Sequence, residues 1–150
     1  MAIVKFQASL LTALRAANNR LEYLTQNDWL LIADKAEPIQ FKNGGKRFNE
    51  GKQTKAVYLL IKGTVGIQTG NETESAQVGP GGICGEMAYL ETANASATAV
   101  AKEDVETLAI SWSELDDLFA LYPHLASRFY RSLAVTLSRR LRRQNPATED

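Results

Sequence analysis

The spacing of apolar residues changes period twice along the chain. Leu10, Leu11 and Leu14 fall on one face at helical spacing, which predicts a first helix over 8–22. Thr25 followed by Asp28 has the form of a helix N-cap with its acidic partner three residues on. A second helix then carries Trp29, Leu30, Ile32 and Ala33 to about Ala36, and Pro38 stops it, since proline disfavours helix in the residue before it.

From there the period falls towards two. Ile39-Gln40-Phe41 and Arg47-Phe48-Asn49 read as short strands around the turn Gly44-Gly45. Val57 to Ile61 is the most apolar strand, and Lys62-Gly63 turns it into the alternating run Thr64–Gln68. Gly70-Asn71 makes another turn before a weak strand, Ser75–Val78. Gly79-Pro80-Gly81-Gly82 marks a loop. Residues 97–101 and 105–110 are two more strands, split by Lys102-Glu103-Asp104. Short strands with glycine turns at this spacing predict a roll, barrel or sandwich, and the spacing alone does not choose among them.

Helical period returns at the end. Ser113 has the character of an N-cap, with Glu114, Asp116 and Asp117 in the first turn, and Tyr122-Pro123 breaks that helix. A longer helix begins near His124. Its Leu125, Phe129, Leu133, Leu137 and Leu141 recur every four residues as one apolar stripe. Asn145–Asp150 reads as a frayed tail.

Composition narrows the function classes. At 150 residues and 45% apolar, the chain can build one core as a single domain. Lys+Arg and Asp+Glu are 17 each, so no net field draws it to nucleic acid or a membrane. One cysteine, Cys84, and one histidine, His124, exclude an internal disulfide and argue against a thiolate or imidazole metal site. No apolar run has transmembrane length, and Arg15 and Arg20 interrupt the N-terminal stretch where a signal peptide would be cleaved. The expected location is cytoplasmic. No nucleophile elbow, P-loop or zinc-ligand spacing occurs, so no catalytic residue is assigned and no enzyme is expected.

The helix–strand–helix order carries a resemblance. Gly44 to Gly51, then Val57 to Val65, is similar to the glycine-punctuated roll of the cyclic-nucleotide-binding domain family. Gly79-Pro80-Gly81 and Gly85-Glu86-Met87-Ala88 resemble the start of that family's phosphate-binding cassette, and Ala97-Thr98 and Ala101 its end. The resemblance runs from about residue 10 to 143. It implies a mixed α+β fold: a double-stranded β-helix, or jelly-roll β-roll, of about eight strands with flanking helices. N-terminal helices would occupy 1–36, the roll 37–111 with its cassette at 84–101, and C-terminal helices 112–144.

In that family a carboxylate accepts a hydrogen bond from the ribose 2′-hydroxyl, N–H groups meet the phosphate, and an arginine about ten residues later neutralises it. Carried onto this sequence, Gly85 allows close backbone approach, Glu86 takes the ribose position, and Met87 and Ala88 offer N–H groups. The arginine position falls on Ala95, or on Ser96 with the gap moved by one. From Glu91 through Ala101 there is no lysine or arginine at all. Losing a hydrogen bond to a charged group costs about 1.5–3 kcal/mol, tenfold or more in affinity.

Three readings follow. The domain has lost nucleotide binding and serves protein interaction or dimerisation, which is the preferred expectation. Alternatively it still binds cyclic AMP or cyclic GMP through N–H groups, the Ser96 hydroxyl and a cation from elsewhere, such as Arg47 or Lys102. Last, the cavity holds another small molecule. The candidate ligand residues are thus Gly85, Glu86, Met87, Ala88, Ala95, Ser96, Ala97 and Thr98, with no cofactor and no metal.

Cys84 is read as a small buried hydrophobe rather than a redox thiol, His124 as a surface or capping residue, and Trp29 and Trp112 as helix packing. The last helix carries Arg128, Arg131, Arg139, Arg140, Arg142 and Arg143. A nucleic-acid role for them would be sequence-independent, because the helix-turn-helix reader that transcription-factor relatives carry after this helix is not expected before Asp150. The stripe could pack on the roll, pair with a second copy across a twofold axis, or do both; Phe129, Leu133, Leu137 and Leu141 are the expected partner face, for a protein partner or a homodimer.

Overall fold

Eight strands and four helices are formed by residues 21–48, 51, 55–70 and 73–144, the residues that the computed structural model describes. In chain order they are α1 (Gln26–Lys35), β1 (Glu37–Phe41), β2 (Lys46–Phe48), β3 (Ala56–Lys62), β4 (Val65–Thr69), β5 (Thr73–Val78), β6 (Ile83–Cys84), α2 (Glu86–Glu91), β7 (Thr98–Ala101), β8 (Val105–Ser111), α3 (Trp112–Leu121) and α4 (Pro123–Gln144). The helix expected over 8–22, except for its last two residues, and the tail 145–150 lie outside the described residues.

The strands form two antiparallel sheets, ordered β1-β8-β3-β6 and β2-β7-β4-β5. Alternation along β3 explains why it is the most apolar run in the sequence. Successive side chains of a strand point to opposite faces, and both faces of β3 are covered. Val57, Leu59 and Ile61 join Leu108 and Ile110 of β8 in a core shared with the helices, where Trp29, Ile32, Leu115, Leu118, Leu125, Phe129 and Leu133 meet them. Tyr58 and Leu60 turn to the other side and pack with Val65, Val78, Cys84, Ala99 and Ala101 between the two sheets. Glycine is required at Gly63, where φ is +91° and a Cβ would sit 2.6 Å from the Asp104 carbonyl oxygen.

Most elements match the expectations, but residues 21–22 are not helical, helix α2 has no counterpart among the expected elements, and two further places differ. Helix α3 starts at Trp112, so Ser111 rather than Ser113 is its N-cap: the Ser111 hydroxyl accepts from the Glu114 N–H at 3.1 Å, while its backbone is still extended. Strand β6 is absent from the sequence reading, because two residues inside a glycine-rich loop carry no detectable period. Its pairing with β3, Tyr58 opposite Cys84, is tertiary. Among the described residues no helix is long and apolar enough to cross a membrane, and no cluster of His, Cys, Asp and Glu could hold a metal ion.

The capping box at Thr25 is formed in both directions, at 3.0 and 3.1 Å. Asp28 does more than cap. Its carboxylate is buried and receives two hydrogen bonds from Arg128 of α4, at 2.6 and 2.8 Å, which locks the first described helix to the last. The Arg128 hydrogen bonds, outweighing the opposing effect of burial, hold the Asp28 carboxyl below its ordinary 3.8. Asp28→Ala removes cap and clamp together, and is expected to lower the unfolding free energy by about 2–3 kcal/mol in urea titration. Because the folded-state pKa is depressed, this contribution is complete above the unfolded value and disappears as pH falls through the folded one. Asp28→Asn is therefore expected to lose the part of the acid-denaturation limb that Asp28 supplies.

Candidate ligand site

The cassette segment begins where β6 must turn into α2 within one residue. Gly85 makes that turn with φ +83°, in the left-handed region where a side chain would be strained. Glu86 follows as the first residue of α2 and is only 7% exposed. Burial pushes its carboxyl above the ordinary 4.5, while its own backbone N–H and the positive charge of Arg140 pull the other way. Helix α2 ends at Thr92, and the chain returns to β7 through Ala95 and Ala97, both buried, and Ser96, which is exposed.

These residues close one side of a cavity of about 540 Å³. Gly85, Glu86, Met87, Ala88, Ala95, Ser96 and Ala97 line it from the cassette, Ile67 and Val78 from the roll, and Leu137, Arg140 and Leu141 from α4. That volume lies inside the range of roughly 300–1,000 Å³ usual for small-molecule sites. The gap between the two sheets, by contrast, is about 10 Å³, too small for a nucleotide. Seven of the eight expected ligand residues thus meet at one cavity. Thr98 does not: it follows Ala97 at the start of strand β7, where successive side chains point to opposite faces. Cys84 is buried beside the site, and burial raises its thiol pKa, which leaves it an inert apolar neighbour.

The cassette helix is tied to the C-terminal helices through Tyr89. Its hydroxyl donates to the Asp116 carboxylate of α3 at 2.6 Å and lies 3.5 Å from the Tyr130 hydroxyl of α4, and its ring meets Trp112 edge-on.

The family model of the cyclic nucleotide-binding domain matches residues 38–122, more than half of the chain. The chain belongs to the cyclic nucleotide-binding domain family. The cyclic AMP receptor protein of Thermus thermophilus is 36% identical over 106 residues, which cover 68% of this chain and 47% of that protein. The crystal structure of the Thermus thermophilus catabolite activator protein superposes with a TM-score of 0.69 at 32% identity, covering 83% of this chain and 58% of that one. A cyclic nucleotide-binding domain from Methylobacillus flagellatus shares the fold with a TM-score of 0.78 at 19% identity, over 96% of this chain and 83% of that one. The chain spans less than half the length of the curated relatives it matches.

Ala95, the position onto which the family resemblance carries the cassette arginine, lines the cavity. Neither cation considered from sequence fills it. Lys102 is held by Glu74 at 2.9 Å and lies outside the cavity lining, and the Arg47 side chain lies outside the described residues. The cation at the cavity is Arg140, which the sequence reading did not single out. A signal for it existed: Leu137, Arg140 and Leu141 are spaced i, i+3, i+4, so Arg140 shares the face of the stripe.

The stripe itself divides. Leu125, Phe129 and Leu133 are buried in the chain's own core, so Phe129 and Leu133 pack on the roll, one of the roles expected of the stripe, and not at a partner face, while Leu137 and Leu141 turn to the cavity. Three of the six α4 arginines make contacts with residues on or before α1. Arg128 pairs with Asp28, Arg139 with Glu22 at 2.8 Å, and Arg131 stacks on the Tyr23 ring at 4.2 Å.

Proposed function

We propose that this chain is a regulatory domain that binds a cyclic mononucleotide, cyclic AMP or cyclic GMP, in the cassette cavity and reports occupancy through its C-terminal helices. The observation that carries the reading is the cavity itself, with the Glu86 carboxylate buried in its wall. An abandoned site has no reason to keep either feature. A buried carboxylate without a partner side chain destabilises the fold, and a void lined by Ala88, Ala95 and Ala97 forfeits packing that larger side chains would restore. The likeness to a receptor named for cyclic AMP supports the same ligand class. Transmission is supported by the lining of the cavity, since Leu137, Arg140 and Leu141 belong to α4 and Tyr89 joins α2 to α3. Ligand shifts such an equilibrium only by its difference in affinity for two helix positions, and contacts from α4 to the ligand supply that difference.

A second reading, association with a protein partner or a second copy of the chain, is favoured by Leu121 and Tyr122, which are exposed where α3 meets α4. The two readings separate in one titration. Isothermal titration of the natural chain with cyclic AMP and cyclic GMP is expected to give saturable heat for at least one of them. Ala95→Arg, which places the family's guanidinium at the gap, is expected to tighten that binding about tenfold. A silent natural chain beside a binding Ala95→Arg variant would sink the sensor reading and leave the interaction role.

A further inference from the structure

We infer that Arg140 of α4 supplies the positive charge for the ligand's phosphate that the roll lacks at Ala95, so that the nucleotide is held between the roll and the last helix. The inference rests on the reading of the cavity given above. Three observations carry it. Among the described residues that line the cavity, Glu86 is the single acid and Arg140 the single base, so Arg140 is the described cation that an anion entering beside Glu86 would meet. Arg140 is also uncommitted: Arg128, Arg131 and Arg139 are engaged with Asp28, Tyr23 and Glu22, whereas among the described residues Arg140 has no ion-pair or hydrogen-bond partner. Finally, Leu137 and Leu141 line the same cavity, so the helical face that carries Arg140 is turned toward it.

The charge of the empty site is consistent with this role. Arg140 is close enough to Glu86 to act on its ionisation, yet no ion pair joins the two side chains within 4 Å. A guanidinium held near an acid but not bonded to it keeps its donors for a ligand, and its planar fork suits two phosphate oxygens. The consequence concerns signalling. Where the phosphate is held by the roll, the contact itself says nothing about the helices. Here the strongest polar contact would be made by α4, so the phosphate binds well only when α4 is docked, and ligand and helix position are coupled directly.

The test uses the full chain with cyclic AMP, cyclic GMP and uncharged adenosine as probes. Arg140→Ala is expected to weaken the cyclic nucleotide about tenfold or more and to leave adenosine unchanged. Arg140→Lys retains the charge without the fork and is expected to fall between. The double variant Arg140→Ala/Ala95→Arg is expected to recover the affinity. Hydrogen exchange then separates the two modes: ligand protects 137–144 in the natural chain but not in the double variant, whose phosphate is held by the roll. Unchanged cyclic-nucleotide binding in Arg140→Ala overturns the inference. So does a loss that is equal for adenosine, which would make Arg140 a structural residue. Silence of the natural chain toward all three probes overturns the reading of the cavity, and this inference with it.

Discussion

Glu86→Ala is expected to weaken cyclic-nucleotide binding about 10- to 100-fold, the value of a hydrogen bond to a charged group in a desolvated site. Among the described residues the carboxylate is the one acid at the cavity and is buried there, so only neutral hydroxyl groups, Thr69 and Ser96, could stand in for its charged acceptor oxygens. The companion effect has the opposite sign. Burial raises the Glu86 pKa, so the folded domain binds this proton more tightly than the unfolded chain. Its ionisation therefore opposes folding, and the stability it withholds grows as pH rises from the unfolded pKa through the folded one. Glu86→Gln removes that penalty and is expected to raise the unfolding free energy of the ligand-free domain at neutral pH by about 1 kcal/mol. Thermal melts over a pH series check this, since the gain shrinks toward acid pH where Glu86 is protonated anyway. A ligand lacking the ribose 2′-hydroxyl is expected to bind the natural chain more weakly and to be insensitive to Glu86→Ala. Equal losses for both ligands would show that Glu86 shapes the cavity without contacting the ribose.

Phe129→Ala is expected to cost about 3–5 kcal/mol of unfolding free energy, a large part of the roughly 5–15 kcal/mol typical of a domain. The side chain is 1% exposed and sits where α3, α4 and the helix-facing side of the β1-β8-β3-β6 sheet converge. Its ring lies 5.0 Å from that of Phe119 and 5.8 Å from that of Tyr130, at tilted and edge-on angles that suit aromatic quadrupoles. Deleting it removes both the buried area and the packing that orients α4. For a chain of this length the melting temperature is expected to fall by roughly 10 °C. The same substitution at Leu141, which is 60% exposed on the same stripe, is expected to change stability by less than about 1 kcal/mol. Urea denaturation of the two variants side by side measures the contrast. Similar losses at both positions would mean that the stripe packs as one unit along its whole length.

How much of this was readable in the sequence depends on the range of the interaction. Elements governed by neighbours a few residues apart were legible. The Thr25–Asp28 box pairs residues three apart, and both its hydrogen bonds form. The Val57–Ile61 run is apolar because both faces of β3 are covered, which the continuous pattern already required. The order of glycines and Glu86 resembled the family cassette, and that segment does close a cavity. The same counting located the empty arginine position at Ala95.

Other features had no local signature. The two residues of β6 are a strand only because β3 lies beside them. Helix α4 presents one apolar stripe to the eye, but where a stripe leaves the core and starts to line a cavity depends on how far the helix extends past the sheet. That point falls between Leu133, buried in the core, and Leu137, at the cavity. Six arginines on α4 looked equivalent as a charge run, yet three of them, Arg128, Arg131 and Arg139, meet Asp28, Tyr23 and Glu22 from the other end of the chain. Sequence by itself determined the periods and the Thr25 cap, because each is set within a turn or a strand, and the resemblance to the family marked the cassette segment. Only the tertiary structure decided which cation faces the cavity, because that depends on where α4 crosses the roll, and a side chain's environment there is built from residues far apart in the chain.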